Sequence, residues 1–142
     1  MTEFTLIPAS GTALPASPFL ARHLIGGHWQ DSADGGVTER LSPSHGIVAS
    51  RAAKGGKAEA EAAIAAARAA FDDGRWSQLS GKARAAVLLK VADLIEANVE
   101  RMALLETLES GKPITQARGE IGGAADLWRY AASLARTLHG DS

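Results

Sequence analysis

The 142 residues include no cysteine. That excludes disulfides, thiolate zinc sites and a cysteine nucleophile among them. It also fits a reducing compartment, so a cytoplasmic location is expected. Aromatic residues make up only 5%, so a core has to come from aliphatic side chains and alanine. Neither sign of charge dominates, with 15 basic residues against 16 acidic and a net charge of −1. This balance carries no footprint for nucleic acid or for an anionic membrane. No apolar run approaches the ~18 residues of a membrane span. The opening MTEFTLIPAS lacks the basic and apolar regions of a secretory signal. His23, His28, His45 and His139 show no metal-ligand spacing. No G-x-G-x-x-G is present, and Gly55-Gly56-Lys57 lacks both the leading glycine and the following Ser or Thr of a phosphate loop.

What is present fits one domain, long enough to bury roughly 68–70% of its unfolded surface. Residues 1–21, with Pro8, Pro15 and Pro18, read as an extended or disordered arm. Residues 22–53 read as a small β-meander. Its strand candidates are Arg22–Ile25, His28–Gln30, Val37–Leu41 and Ile47–Ala53, separated by Gly26-Gly27, Asp34-Gly35-Gly36 and the loop Ser42–Gly46.

From Lys57 the hydrophobic period changes from two to that of a helix, and residues 57–139 read as helices. Ala58–Phe71 places Ile64, Ala67 and Phe71 on one face. Ser80 is a candidate N-cap for a helix with Val87, Val91, Leu94 and Ile95 on its core stripe. Asn98, a poor helix former, predicts a break, after which Glu100 falls in a first turn favoured by the helix dipole. The next helix ends at Ser110, because Gly111 suits a left-handed cap and Pro113 cannot continue the helix. A last helix over Ile121–Leu138 puts Ile121, Ala124, Trp128, Ala131, Ala135 and Leu138 on one stripe, with Gly119, Gly122 and Gly123 weakening its start. The fold class expected is α+β and helix-rich, a small β-meander followed by three to five packed helices.

Few side chains suggest chemistry. Lys112 reads as a lysine complementing a helix C-terminus. Glu106 and Glu109 share a helix face and read as solvated or capping residues rather than an acid–base pair. Trp29, Trp76 and Trp128 read as core or interface anchors.

Five blocks, in order, resemble the N-terminal region of the NAD(P)-dependent aldehyde dehydrogenase superfamily. They are HLIGGHWQDS (His23–Ser32), SPSHGIVASRAAKG (Ser42–Gly55), Glu59–Trp76, Ala86–Pro113 with LLETLESGKP, and Trp128-Arg129-Tyr130 with His139-Gly140. Ser42 and His45 stand where the family usually has Asn and Thr, and Ala131 stands where a second aromatic is usual. The resemblance covers residues 22–142. The Gly-Gly-Ala-Ala run from Gly122 looks most similar to the amino-aldehyde dehydrogenases.

The resemblance implies a non-catalytic, N-terminal portion of an enzyme that oxidises an aldehyde to a carboxylic acid with NAD or NADP. It places no catalytic or cofactor-binding residue here, and no cofactor is expected for this chain alone. It puts Gly119, Gly123 and Leu127 on one wall of the substrate tunnel, and Glu109 where the main chain helps to hold a structural monovalent cation. It implies the remainder of such a chain, neighbouring subunits and a small-molecule aldehyde as partners, and neither nucleic acid nor membrane. The alternative is a stand-alone, non-catalytic helical interaction module derived from that family.

Overall fold

The computed structural model describes residues 15–138. Residues 1–14 of the expected arm, and His139-Gly140 of the last block, lie outside the described residues. Five strands precede four helices: β1 (Phe19–Ala21), β2 (His23–Ile25), β3 (His28–Gln30), β4 (Val37–Leu41), β5 (Val48–Ala53), α1 (Lys57–Asp72), α2 (Gly81–Ala97), α3 (Val99–Ser110) and α4 (Ile114–Ala135). This is the helix-rich α+β arrangement expected. No helix among the described residues is long and apolar enough to cross a membrane.

The strands do not form one meander. β2 and β3 make a separate hairpin, while the larger sheet has the order β1-β5-β4. Gly26 and Gly27, at φ 60° and 85°, close the hairpin after three-residue strands. Arg22 braces its mouth, with Nε 2.7 Å from Asp31 Oδ1. β1 falls inside the stretch read as an arm. It pairs parallel with β5, Phe19 opposite Ser50, a long-range partnership that local periodicity does not carry.

α1 starts after Gly56, and the Glu59 carboxylate accepts the N–H groups of Gly56 and Ala33, each at 2.7 Å. These bonds tie α1 to the turn before β4 and hold the Glu59 carboxyl below the usual range. At the start of α2, Ser80 Oγ accepts the Ala83 N–H at 3.2 Å, the cap expected. Asn98 does separate α2 from α3, but by closing the first helix: its Nδ2 donates to the Leu94 carbonyl at 2.8 Å. Gly111 takes the left-handed cap at φ 78°.

α4 differs most from expectation. It begins at Ile114, seven residues before Ile121, and ends at Ala135 rather than Leu138. Gly119, Gly122 and Gly123 therefore lie inside it. Each glycine costs about 1 kcal/mol relative to alanine in a helix. Tertiary packing offsets that cost, because Ala117, Ala125 and Ala132 are buried against the neighbouring helices.

The buried core is almost all alanine: Ala49, Ala85, Ala92, Ala103, Ala117, Ala125 and Ala132, with Leu108 as the one large side chain. This corrects the expected stripes in part. Val87, Leu94, Trp128 and Leu138 are exposed, while Val91, Ile95, Ile121, Ala124, Ala131 and Ala135 are half-buried and full burial goes to Ala85, Ala92, Ala125 and Ala132. α1 buries no residue at all, and Ile64 and Phe71 are 69% and 68% exposed.

Two glycine substitutions will act in opposite directions. A Cβ at Gly81 would sit 2.4 Å from the Ala135 carbonyl oxygen, backbone that cannot swing away. Gly81→Ala will cost about 1–3 kcal/mol by overpacking. A Cβ at Gly123 meets nothing within 4 Å, so Gly123→Ala will add about 0.5–1 kcal/mol through helix propensity. Urea denaturation of both variants will show the two signs.

Candidate functional site

The candidate site is a face of α4, and three basic side chains set how that face is presented. Arg118 grips Glu100 at the start of α3 with two bonds, Nε–Oε1 at 2.9 Å and Nη2–Oε2 at 2.8 Å. Arg129 grips Glu96 near the end of α2, with Nη1–Oε1 at 2.9 Å and Nη2–Oε2 at 2.6 Å. Lys112 reaches both Glu120 and Glu106, the latter at 2.9 Å. α4 is thus pinned to both neighbours and to the loop before it. Lys112 is a bridge between helices, not the simple C-terminal complement the sequence suggested. Its partners lie six residues before and eight after it in sequence, a spacing with no helical signature.

These bonds shift the ionisation of both partners. Hydrogen bonds from Arg129, Arg118 and Lys112 lower the Glu96, Glu100 and Glu120 carboxyls, respectively. Glu120, and then Glu106, raise Lys112. All sit at the surface, where solvent screens each pair and the value lies in register more than in energy.

On the opposite side of α4, Gly119, Gly123 and Leu127 recur every four residues and form one stripe. Nothing stands within 4 Å of a Cβ placed at Gly119, Gly122 or Gly123, and Leu127 is 66% exposed. Tyr130 and Leu134 continue the stripe and are exposed too. The sequence-derived residues do share a face. It is one open surface, with no facing wall among the described residues.

Glu109 lies elsewhere, on α3, where its carboxylate accepts the Ser50 hydroxyl and ties α3 to β5. No group of three or more His, Cys, Asp or Glu side chains gathers among the described residues. Glu109 and Ser50 offer three side-chain oxygens, short of the six or more that a calcium ion takes. Sequence reading missed Ser50, which is 59 positions away from Glu109.

The aldehyde dehydrogenase family profile matches residues 29–142. This chain belongs to the aldehyde dehydrogenase family. It is 42% identical over 118 residues to aldehyde dehydrogenase family 2 member B4, mitochondrial, of Arabidopsis thaliana, covering 82% of this chain and 22% of that one. It is 38% identical over 121 residues to an NADP/NAD-dependent aldehyde dehydrogenase of Escherichia coli (strain K12), covering 84% and 24%. Its fold superposes on the NAD-dependent aldehyde dehydrogenase from Sinorhizobium meliloti with a TM-score of 0.88 and 44% identity, over 96% of this chain and 27% of that chain. The chain thus spans about a quarter of the length of the aldehyde dehydrogenases it matches, and the match falls on their N-terminal part.

Within this aldehyde dehydrogenase region the three carboxylates depressed by Arg118, Arg129 and Lys112 give the fold a small sensitivity to acid. A lowered folded-state pKa stabilises above the unfolded value, and that contribution disappears as pH falls through the folded value. The urea midpoint will hold from pH 7 down to about 4.3, the unfolded glutamate value, and fall slightly below it. Arg118→Gln with Arg129→Gln will make the acid loss shallower.

Proposed function

We propose that this chain serves as the N-terminal, non-catalytic portion of an enzyme that oxidises an aldehyde to a carboxylic acid, with NAD or NADP accepting the hydride. The observation that carries the reading is the superposition of 96% of this chain on the Sinorhizobium meliloti enzyme, at a TM-score of 0.88 over 27% of that chain. The family's chemistry uses a thiolate to attack the carbonyl, and no cysteine is present here. These residues shape access instead. α4 supplies one wall of the substrate entrance, with Gly119 and Gly123 leaving room and Leu127 adding an apolar contact. The amino-aldehyde class is the favoured substrate, on the Gly-Gly-Ala-Ala run from Gly122. Glu109 holds α3 against β5, and in the complete enzyme its main chain contributes to a structural monovalent cation site. The remainder of the chain and neighbouring subunits cover what this region leaves bare, in the cytoplasm.

The test is a chimera in which this chain replaces the matching N-terminal part of the Sinorhizobium meliloti enzyme. Nicotinamide absorbance will report aldehyde-dependent turnover by the chimera and none by the 142-residue chain alone. Gly123→Phe in the chimera will lower kcat/KM for bulky aldehydes on the order of tenfold and spare the smallest ones. A correctly folded chimera with no turnover would sink the reading. Alone, the chain will bind a hydrophobic dye and scatter more light than a monomer, because Leu20, Trp29, Ile64, Phe71 and Leu127 are all exposed. A monodisperse, dye-free monomer would favour the stand-alone module.

A further inference from the structure

Two aspartates stand directly before glycine, in Asp34-Gly35 and Asp73-Gly74. In that setting the backbone nitrogen can reach the side-chain carboxyl carbon, because glycine has no Cβ to restrict the approach. The fold puts the two pairs in opposite surroundings.

Asp34 and Gly35 are both exposed, in the turn between β3 and β4. The Asp34 carboxylate folds back over that turn, and its Oδ1 accepts the Gly36 N–H at 2.8 Å. This is its one side-chain hydrogen bond among the described residues. Asp73 is gripped instead by Arg75, whose Nε lies 2.8 Å from Oδ2 and whose backbone N–H donates to Oδ1 at 2.9 Å. Hydrogen bonds from the Arg75 guanidinium hold that carboxyl below its usual range, so its neutral form is scarce. Gly74 is buried, with the Gln78 side chain against it. Each glycine N–H donates to the carbonyl three residues back, Ser32 at 2.9 Å and Phe71 at 3.2 Å, so that bond does not set the pairs apart.

We infer that Asp34 is a site of spontaneous conversion to isoaspartate, and that the fold protects Asp73 from the same reaction. The Gly35 nitrogen bonds to Asp34 Cγ. Its proton and the carboxyl hydroxyl leave as water, which closes a succinimide ring. The Gly36 N–H already donates to an oxygen of the carbon under attack, and so stabilises the charge that forms there. One water then reopens the ring. Cleavage of the Cγ–N bond returns aspartate, and cleavage of the bond from the main-chain carbonyl carbon to N gives isoaspartate. No oxidant or other co-reactant is needed.

Isoaspartate runs the main chain through the side chain and lengthens the turn by a methylene. That turn is anchored on both sides of Asp34. The Ala33 N–H donates to Glu59 on α1 at 2.7 Å, while the Gly36 carbonyl accepts the Lys54 N–H and the Ser32 hydroxyl, each at 2.9 Å. The longer turn spreads these anchors and loosens the tie between α1 and the sheet.

The test ages the 142-residue chain and the Sinorhizobium meliloti chimera at mildly acidic pH, folded and in urea. Electron-transfer fragmentation of the digests distinguishes the two isomers, which have equal mass. In the folded proteins isoaspartate will form at Asp34 at least about tenfold faster than at Asp73, a ratio within reach of one placed donor. In urea the two rates will converge. Arg75→Ala will raise the rate at Asp73 and leave Asp34 unchanged. Asp34→Glu will abolish the modification there, since a longer side chain closes its ring far more slowly. Hydrogen exchange of the Ala33 amide will speed up in the aged fraction. Equal rates at the two aspartates in the folded chimera would overturn the inference. So would the same tenfold ratio in urea, because the local sequence and not the fold would then make the choice. Neither outcome involves aldehyde turnover, so the proposed function stands or falls separately.

Discussion

The structure depends on α4 lying against α2 through alanine. Ala85 and Ala92 on one helix and Ala125 and Ala132 on the other are fully buried, and nothing larger is buried with them along that seam. Methyl groups let two helices approach closely, and interior packing at close range yields dispersion energy that a looser seam forfeits. The same closeness fixes Gly81, whose position against the Ala135 carbonyl leaves no room for a Cβ. Once α4 is seated, Arg129 meets Glu96 and Arg118 meets Glu100, so the ion pairs set the register of a contact that packing has already made. A seam of methyls is also a small core. Among the described residues Leu108 alone is a large side chain in full burial, and many of the other large apolar residues stay exposed.

Much of the fold was legible. Ser80, Gly111 and Pro113 punctuate the helices where their chemistry says they should, and the switch of period near Lys57 separates strands from helices. The errors share a cause. The bulky residues carry the visible period, which points Val87, Leu94 and Trp128 inward, whereas the fully buried positions on α2 and α4 belong to alanine. In an alanine-rich helix the small residues carry the packing signal and the large ones mark the outer faces. Gly119, Gly122 and Gly123 misled in the same way. Intrinsic propensity argues for a late helix start, and a seam that begins at Ala117 overrides it. β1 was hidden because a parallel partner lies about thirty residues away, at Ser50.

The candidate site was legible to a different degree. Gly119, Gly123 and Leu127 come from the family resemblance alone, and on α4 their four-residue spacing brings them to one exposed face. Among the described residues nothing packs on the stripe. The bridges made by Lys112 and the bond between Ser50 and Glu109 join different elements. No rule of local spacing finds them, because such pairs arise from how elements stack rather than from the period within any one of them.

These two halves of α4 explain how one helix can hold a fold and vary a surface. The buried face carries alanine and, at its flanks, the anchoring arginines. The other face, half a turn away, carries Gly119, Gly123 and Leu127 with nothing packed on them. Substitutions on the exposed face change the shape of the surface at little cost to the seam, since residues without shared partners act nearly independently. Substitutions on the seam do the opposite. Side-chain volume along this stripe can therefore change while the alanines, Gly81 and the two arginine clamps stay as they are. The three glycines weaken the helix by intrinsic propensity, and the seam beneath them supplies the stability that lets them remain.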